Sequence, residues 1–209
     1  MSGADAALAA ATRSRAYLLF VRALDYPDAE HLEDVRSRAL AEALRDTLAA
    51  IDPPLGEGDW AALADGGNGD EALAVEYARL FDVGTSGPPC PLHGGLYGGM
   101  RMQTMEECVR FYNHFGLTLA EAPRELPDHL ATQLEFLHFL AFREAEAHEA
   151  GADAGPWRRA ARDFVERHPG RWVPRLRKRL AEQKSAPFFS ALVDQLDRFL
   201  ASERARLAS

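Results

Sequence analysis

Periodicity constrains this chain more than any other feature. Apolar residues recur at three- and four-residue spacing almost from end to end, in windows rich in Ala, Leu, Arg and Glu, and no run alternates Val, Ile or Thr with polar residues. The first pattern marks one face of an α-helix; the second, which is missing, marks a half-buried strand. The expected fold is all-α: one globular helical domain of roughly nine or ten helices. A first helix from about Ala6 to Leu24 stops at Tyr26-Pro27, because the residue before a proline is pushed out of the helical region. A second is expected from about Asp28 to Ile51, and a short one around Trp60. Another runs from about Asp70 and aligns Leu73, Tyr77, Leu80 and Phe81 on one face. Then the pattern breaks. DVGTSGPPCPLHGGLYGGM holds six glycines and three prolines, so no regular element can pass through residues 83–100, and a loop of that length is usually functional.

Helix resumes near Gln103 and ends at Gly116, a residue suited to a left-handed cap. The next helix opens at Leu126-Pro127-Asp128-His129, with Pro127 expected at the first helical position and Asp128 where the helix dipole favours an anion. Its apolar residues, Leu130, Leu134, Phe136, Leu137, Phe139, Leu140 and Phe142, cover most of the circumference, as in a central buried helix. A polar stretch at 150–155 is the candidate joint between two lobes. Beyond it, helices are expected from Pro156 to about His168, from near Trp172, and from Pro187.

The formal net charge is -8, opposite in sign to that of a typical nucleic-acid binder, so nucleic acid is not an expected partner. Two cysteines, Cys90 and Cys108, are too few for a disulfide framework and fit a reducing compartment. The first twenty residues lack a basic region ahead of an apolar core, and no segment approaches eighteen uninterrupted apolar residues, so a cytosolic chain without membrane insertion is expected.

Several constellations could carry chemistry. Glu135 and His138 are three apart, on one helical face, which is the spacing of di-iron bundles. Such a site needs a second Glu-x-x-His and two further glutamates, and this is the one motif of that spacing near the central helix. A helical di-metal oxidoreductase is therefore the alternative reading. Cys90 and His93 have zinc-ligand spacing but make half a site. No phosphate-cradling glycine motif is present. What remains suits a groove for an apolar peptide with basic residues: the aromatic and Leu side chains of the Tyr77 helix for the apolar stretch, Glu125 and Asp128 for the cationic groups.

The order of short motifs adds a resemblance. Glu-Tyr-x-x-Leu-Phe (Glu76 to Phe81), a Gly/Pro loop, Glu-x-Pro-Asp-His (Glu125 to His129), Leu-Glu-Phe-Leu (Leu134 to Leu137) and His-Pro-x-x-Trp-x-Pro (His168 to Pro174) together resemble the TorD/DmsD/NarJ-like family. That family comprises cytosolic assembly chaperones of dimethyl sulfoxide reductase-type molybdenum enzymes. The resemblance implies an all-helical fold, no catalysis and no cofactor of its own, with monomer and homodimer both open. It also implies a partner, the apo catalytic subunit, bound through its N-terminal twin-arginine signal region until the molybdopterin cofactor is in. Carried across, the signal-peptide site is Tyr77, Leu80, Phe81, Glu125, Pro127, Asp128 and His129. Asp128 and Glu125 are expected to draw the basic region of the signal, and the aromatic helix to receive its apolar region, with the negative net charge steering the peptide inward. In the loop many members carry an aromatic or acidic residue followed by Ser, where this chain has Leu92-His93-Gly94-Gly95.

Overall fold

In the computed structural model, which describes residues 2–67, 71–85, 87–98, 100–119 and 126–208, the periodic windows form nine α-helices and no named strand among the described residues. Helix α1 (Gly3–Ala23) is opened by a capping box, in which Ser2 Oγ accepts from the Asp5 amide and the Asp5 carboxylate accepts from the Ser2 amide. It lies along α6 (Leu130–Glu149), the central helix. α3 (Ala39–Ile51) packs on the other side of α1, while α7 (Gly155–Arg167) follows α6 closely across the 150–154 turn. α8 (Pro169–Glu182) and α9 (Pro187–Ala208) form a hairpin that closes the core. Tyr17, Phe20, Leu134, Leu137, Phe164, Phe188, Phe189 and Phe199 are all buried in it.

A charged knot ties the ends of the chain together inside this apolar frame. Glu144 of α6 and Glu203 of α9 are buried, and Glu144 Oε1 lies 3.3 Å from Arg206, 3.6 Å from Arg13 and 3.7 Å from Arg158. Glu203 accepts two bonds from Arg206, at 2.9 and 3.0 Å, and one from the Tyr17 hydroxyl at 3.2 Å. Two carboxylates thus neutralise arginines from α1, α7 and α9, the condition under which buried charge is tolerated.

The element boundaries differ from the sequence-based expectation at several points. Residues 28–51 form two helices, α2 (Ala29–Arg36) and α3, because Arg38 takes a left-handed conformation at φ 66° with neither Gly nor Pro to announce it. Around Trp60 there is no helix: two 3-10 turns, Pro53–Gly56 and Ala62–Ala64, flank it, and the Trp60 indole donates to the Gly56 carbonyl at 2.7 Å. α4 (Ala72–Tyr77) continues as a π-helical turn, Ala78–Asp82, closed by the Val83 amide donating to the Ala78 carbonyl at 2.8 Å. α5 (Arg101–His114) ends before Gly116 at φ 72°, as its glycine promised. α8 begins at Pro169 instead of Trp172, with proline at its first position, and runs through Pro174 without ending.

Candidate functional site

The glycine-rich loop is folded back onto the start of α6. The Gly94 amide donates to the Asp128 carbonyl at 2.9 Å and the Leu130 amide donates to the Leu92 carbonyl at 2.8 Å, with His93 and His129 opposed as an antiparallel bridge. This explains why Pro127 is not the first helical residue. Pro127 and Asp128 form a turn closed by the His129 amide on the Leu126 carbonyl at 3.0 Å, and α6 starts at Leu130 because the loop's own carbonyl takes its first amide.

Asp128 is fully buried at the centre of this clasp. Its Oδ2 accepts from the Gly95 amide at 2.9 Å, and its Oδ1 stands 3.5 Å from His93 Nδ1. Burial alone would raise its pKa. The His93 contact, the Gly95 amide and the charges of His93 and Arg101 outweigh burial and hold the carboxyl below its ordinary value. The glycine pair in the loop is a packing requirement. A Cβ at Gly94 would come within 2.8 Å of the Trp172 indole nitrogen, and one at Gly95 within 2.9 Å of both Asp128 Oδ2 and the Arg101 backbone.

Neighbouring helices complete the clasp. Gln133 Nε2 donates to the Asp128 carbonyl at 3.2 Å while its Oε1 accepts from the Trp172 indole at 3.0 Å, and the Tyr112 hydroxyl donates to the Pro127 carbonyl at 2.8 Å. Tyr97 stacks on Trp172 at 5.0 Å under the Arg179 guanidinium, 4.3 Å from the ring centre, and Arg175 donates to the Tyr97 carbonyl. Beneath the loop, Cys108 Sγ lies 3.6 Å from His168 Nδ1, both buried. Burial pushes the Cys108 thiol up to about 12 and the His168 imidazole down to about 4, which keeps both neutral and inert near pH 7.

The loop's other end is tied to the Tyr77 helix, where the Cys90 amide donates to the Leu80 carbonyl at 2.9 Å. Residues 90–92 therefore bridge the π turn and the start of α6, two regions far apart in sequence. Tyr77, Leu80 and Phe81 themselves point inward: Tyr77 and Phe81 pack edge-to-face at 5.0 Å and both rings meet Phe189 of α9. The outer side of the same helix lines an open groove of about 710 Å³ between α4 and α2, formed by Glu71, Ala74, Val75, Ala78, Tyr26 and Leu32 with Pro27, Ala29 and Arg36 at its edge. Val75 is 64% and Tyr26 51% exposed, and the Tyr26 ring rests on Tyr77 at 5.5 Å, so Tyr77 backs the groove wall.

Of the other singled-out residues, Glu125 lies outside the described residues. Glu135 is exposed, and His138 Nδ1 lies 2.8 Å from the Ser14 hydroxyl of α1. Among the described residues no three His, Cys, Asp or Glu side chains converge as a metal site. The sequence offered His93 only as half a zinc site with Cys90, and Trp172 only as part of the His168–Pro174 motif, and gave no sign of Gln133; the Gly94-Gly95 doublet and the Trp within the His168 segment were the available signals.

Residues 33–178, which contain both the clasp and the groove helix α4, match the nitrate reductase delta subunit family. The chain belongs to this family. It is 38% identical over 172 residues to the selenate reductase assembly chaperone protein of Thauera selenatis, a match covering 81% of this chain and 77% of that one. It is 34% identical over 166 residues to the chlorate reductase assembly chaperone protein of Ideonella dechloratans, covering 78% and 74%. With the perchlorate reductase assembly chaperone protein of Dechloromonas aromatica (strain RCB) it shares 31% over 193 residues, covering 90% and 86%. The TorD/DmsD/NarJ-like resemblance read from the motif order agrees with this family membership.

Proposed function

We propose that this chain is a non-catalytic, cytosolic assembly chaperone of a dimethyl sulfoxide reductase-type molybdenum enzyme, most simply an oxyanion reductase. It binds the N-terminal twin-arginine signal region of the apo catalytic subunit and holds it until the cofactor is inserted, before export. The observation that carries this reading is the family relationship: three relatives named as assembly chaperones of oxyanion reductases, each aligned over more than three-quarters of this chain.

The geometry supplies a division of labour. The apolar region of the signal lies in the α2–α4 groove against Tyr26, Leu32, Ala74, Val75 and Ala78, a helix-in-groove arrangement with the Tyr77 and Phe81 rings behind it. The basic region meets Glu71 in the groove lining, with Glu30 and Glu33 exposed elsewhere on the neighbouring α2. Glu30 is held 3.0 Å from Arg22, so an incoming arginine exchanges one ion pair for another, and the gain comes from the fork geometry and from covering the pair. Asp128, Pro127 and His129 serve this site through the clasp: by fixing Leu92 to Leu130 and Cys90 to Leu80, they set the position of the π turn beneath the groove.

Deleting the gene and measuring molybdenum in the purified client tests the reading. A client that accumulates without molybdenum, restored by the wild-type chain and not by Val75→Asp, is the expected result; full molybdenum occupancy in the deletion strain overturns it.

A further inference from the structure

A second groove, of about 690 Å³, lies between α5 and α7, away from the α2–α4 groove. One face of each helix lines it: Glu107, Arg110, Phe111, His114 and Phe115 from α5, and Arg159, Ala160, Asp163 and Arg167 from α7, each series stepping by three or four residues. The two helices meet through rings, Phe111 on Phe164 at 5.1 Å and Phe115 on Trp157 at 5.2 Å, which form an aromatic floor. In a chain of net charge -8 the rim is basic. Asp163 is paired with Arg162 at 3.2 Å and Glu107 accepts from Gln103 at 3.4 Å, whereas the exposed Arg110, Arg159 and Arg167 have no acidic partner among the described residues.

We propose that this groove is a second docking site, built for an acidic amphipathic helix of a partner protein. Arg159 and Arg167 are eight residues apart on α7, so their stems are about 12 Å apart along the axis. That separation matches carboxylates two turns apart on a docked helix and exceeds the span of a single phosphate. Asp163 stands between them and disfavours acid at the ligand's centre, while Phe111, Phe115 and Ala160 take apolar side chains there. Arginine and aromatic residues are the types enriched at protein interfaces, and lysine is absent from the groove lining. The acids of α2, Glu30, Glu33 and Asp34, fall within little more than one turn, so α2 of a second copy cannot reach both arginines.

The choice of probe rests on the proposed function: overlapping peptides tiling the catalytic subunit whose molybdenum content falls in the deletion strain, bound first on an array and then by titration calorimetry. The comparison is wild type against the exposed-surface variant Arg110→Glu/Arg159→Glu/Arg167→Glu. The expected result is at least one acidic amphipathic peptide whose affinity falls about tenfold or more in the variant and with added salt, while the signal peptide binds both proteins equally. Signal binding without any acidic peptide overturns the second site and leaves the chaperone reading standing. Acidic-peptide binding without signal binding overturns the signal-binding part of the proposed function alone, and no binding at all overturns both. Displacement of the acidic peptide by inorganic pyrophosphate at equal concentration, or a concentration-dependent dimer lost in the variant, assigns the groove to a phosphate ligand or to self-association and also overturns the proposal.

Discussion

Replacing Asp128 by Asn removes one charge from the centre of the clasp and almost no volume. In the native protein the Gly95 amide bonds to a carboxylate at 2.9 Å, and His93 Nδ1 faces the second oxygen at 3.5 Å. A hydrogen bond to a charged group contributes about 1.5–3 kcal/mol and a neutral one about 0.5–1.5, so keeping the Gly95 bond while losing its charge costs about 1–2 kcal/mol once the weakened His93 contact is included. For a chain of this length that corresponds to a fall in Tm of about 2–8 °C. The assay is thermal unfolding followed by circular dichroism across a pH series. Because the folded carboxyl is held below its ordinary value, its stabilisation is complete above the unfolded carboxylate pKa and is lost as pH falls through the folded one. The gap between wild type and Asp128→Asn should therefore be present at pH 5 and shrink as pH falls below about 4. Equal Tm values at pH 7, or a gap that widens on acidification, would refute the assignment of Asp128 as the ionised centre of the clasp.

Three further outcomes follow from the same geometry. His168, whose pKa burial and then the nearby Arg167 and Arg171 push down to about 4 against the opposing Glu107 and Asp128, stays neutral in the fold while the unfolded chain protonates. Stability should fall by about 3 kcal/mol between pH 6.5 and 4, at about 1.4 kcal/mol per pH unit, and urea titrations of His168→Gln should show a correspondingly flatter slope. Glu203→Ala leaves Arg13 and Arg206 to share Glu144 with Arg158, so buried positive charge goes uncompensated; it should cost about 3–5 kcal/mol, read as a lowered urea midpoint at unchanged m-value. Burial pushes the Cys90 thiol up to about 11 and Cys108 to about 12, so iodoacetamide at pH 7.5 should label neither in the native protein and both in urea.

The helical class and most boundaries were legible because helix period, Pro and Gly signals report local geometry. Pro27 and Gly116 marked real ends. The break at Arg38 was not legible, since an arginine in the left-handed region carries no sequence mark. Asp128 was found for the wrong local reason: the sequence placed it in the first turn of a helix, whereas tertiary bonds from Gly94, Gly95 and His93 draw it into a buried turn ahead of that helix. The inward direction of Tyr77, Leu80 and Phe81 was equally hidden, because an apolar stripe looks the same whether it faces a core or a ligand. Here the stripe meets Phe189 from the far end of the chain, and the face open to the groove is the smaller Ala74, Val75 and Ala78 one behind it.

The chaperone account is tested most directly by titration calorimetry of the purified chain with the synthetic twin-arginine signal peptide of its client, beside a peptide with both arginines changed to lysine. The account predicts saturable, one-to-one binding of the twin-arginine peptide, weakened by the lysine changes and by Val75→Asp or Tyr26→Ala in the groove. Absence of binding to the signal peptide, or binding that none of these changes affects, would contradict it.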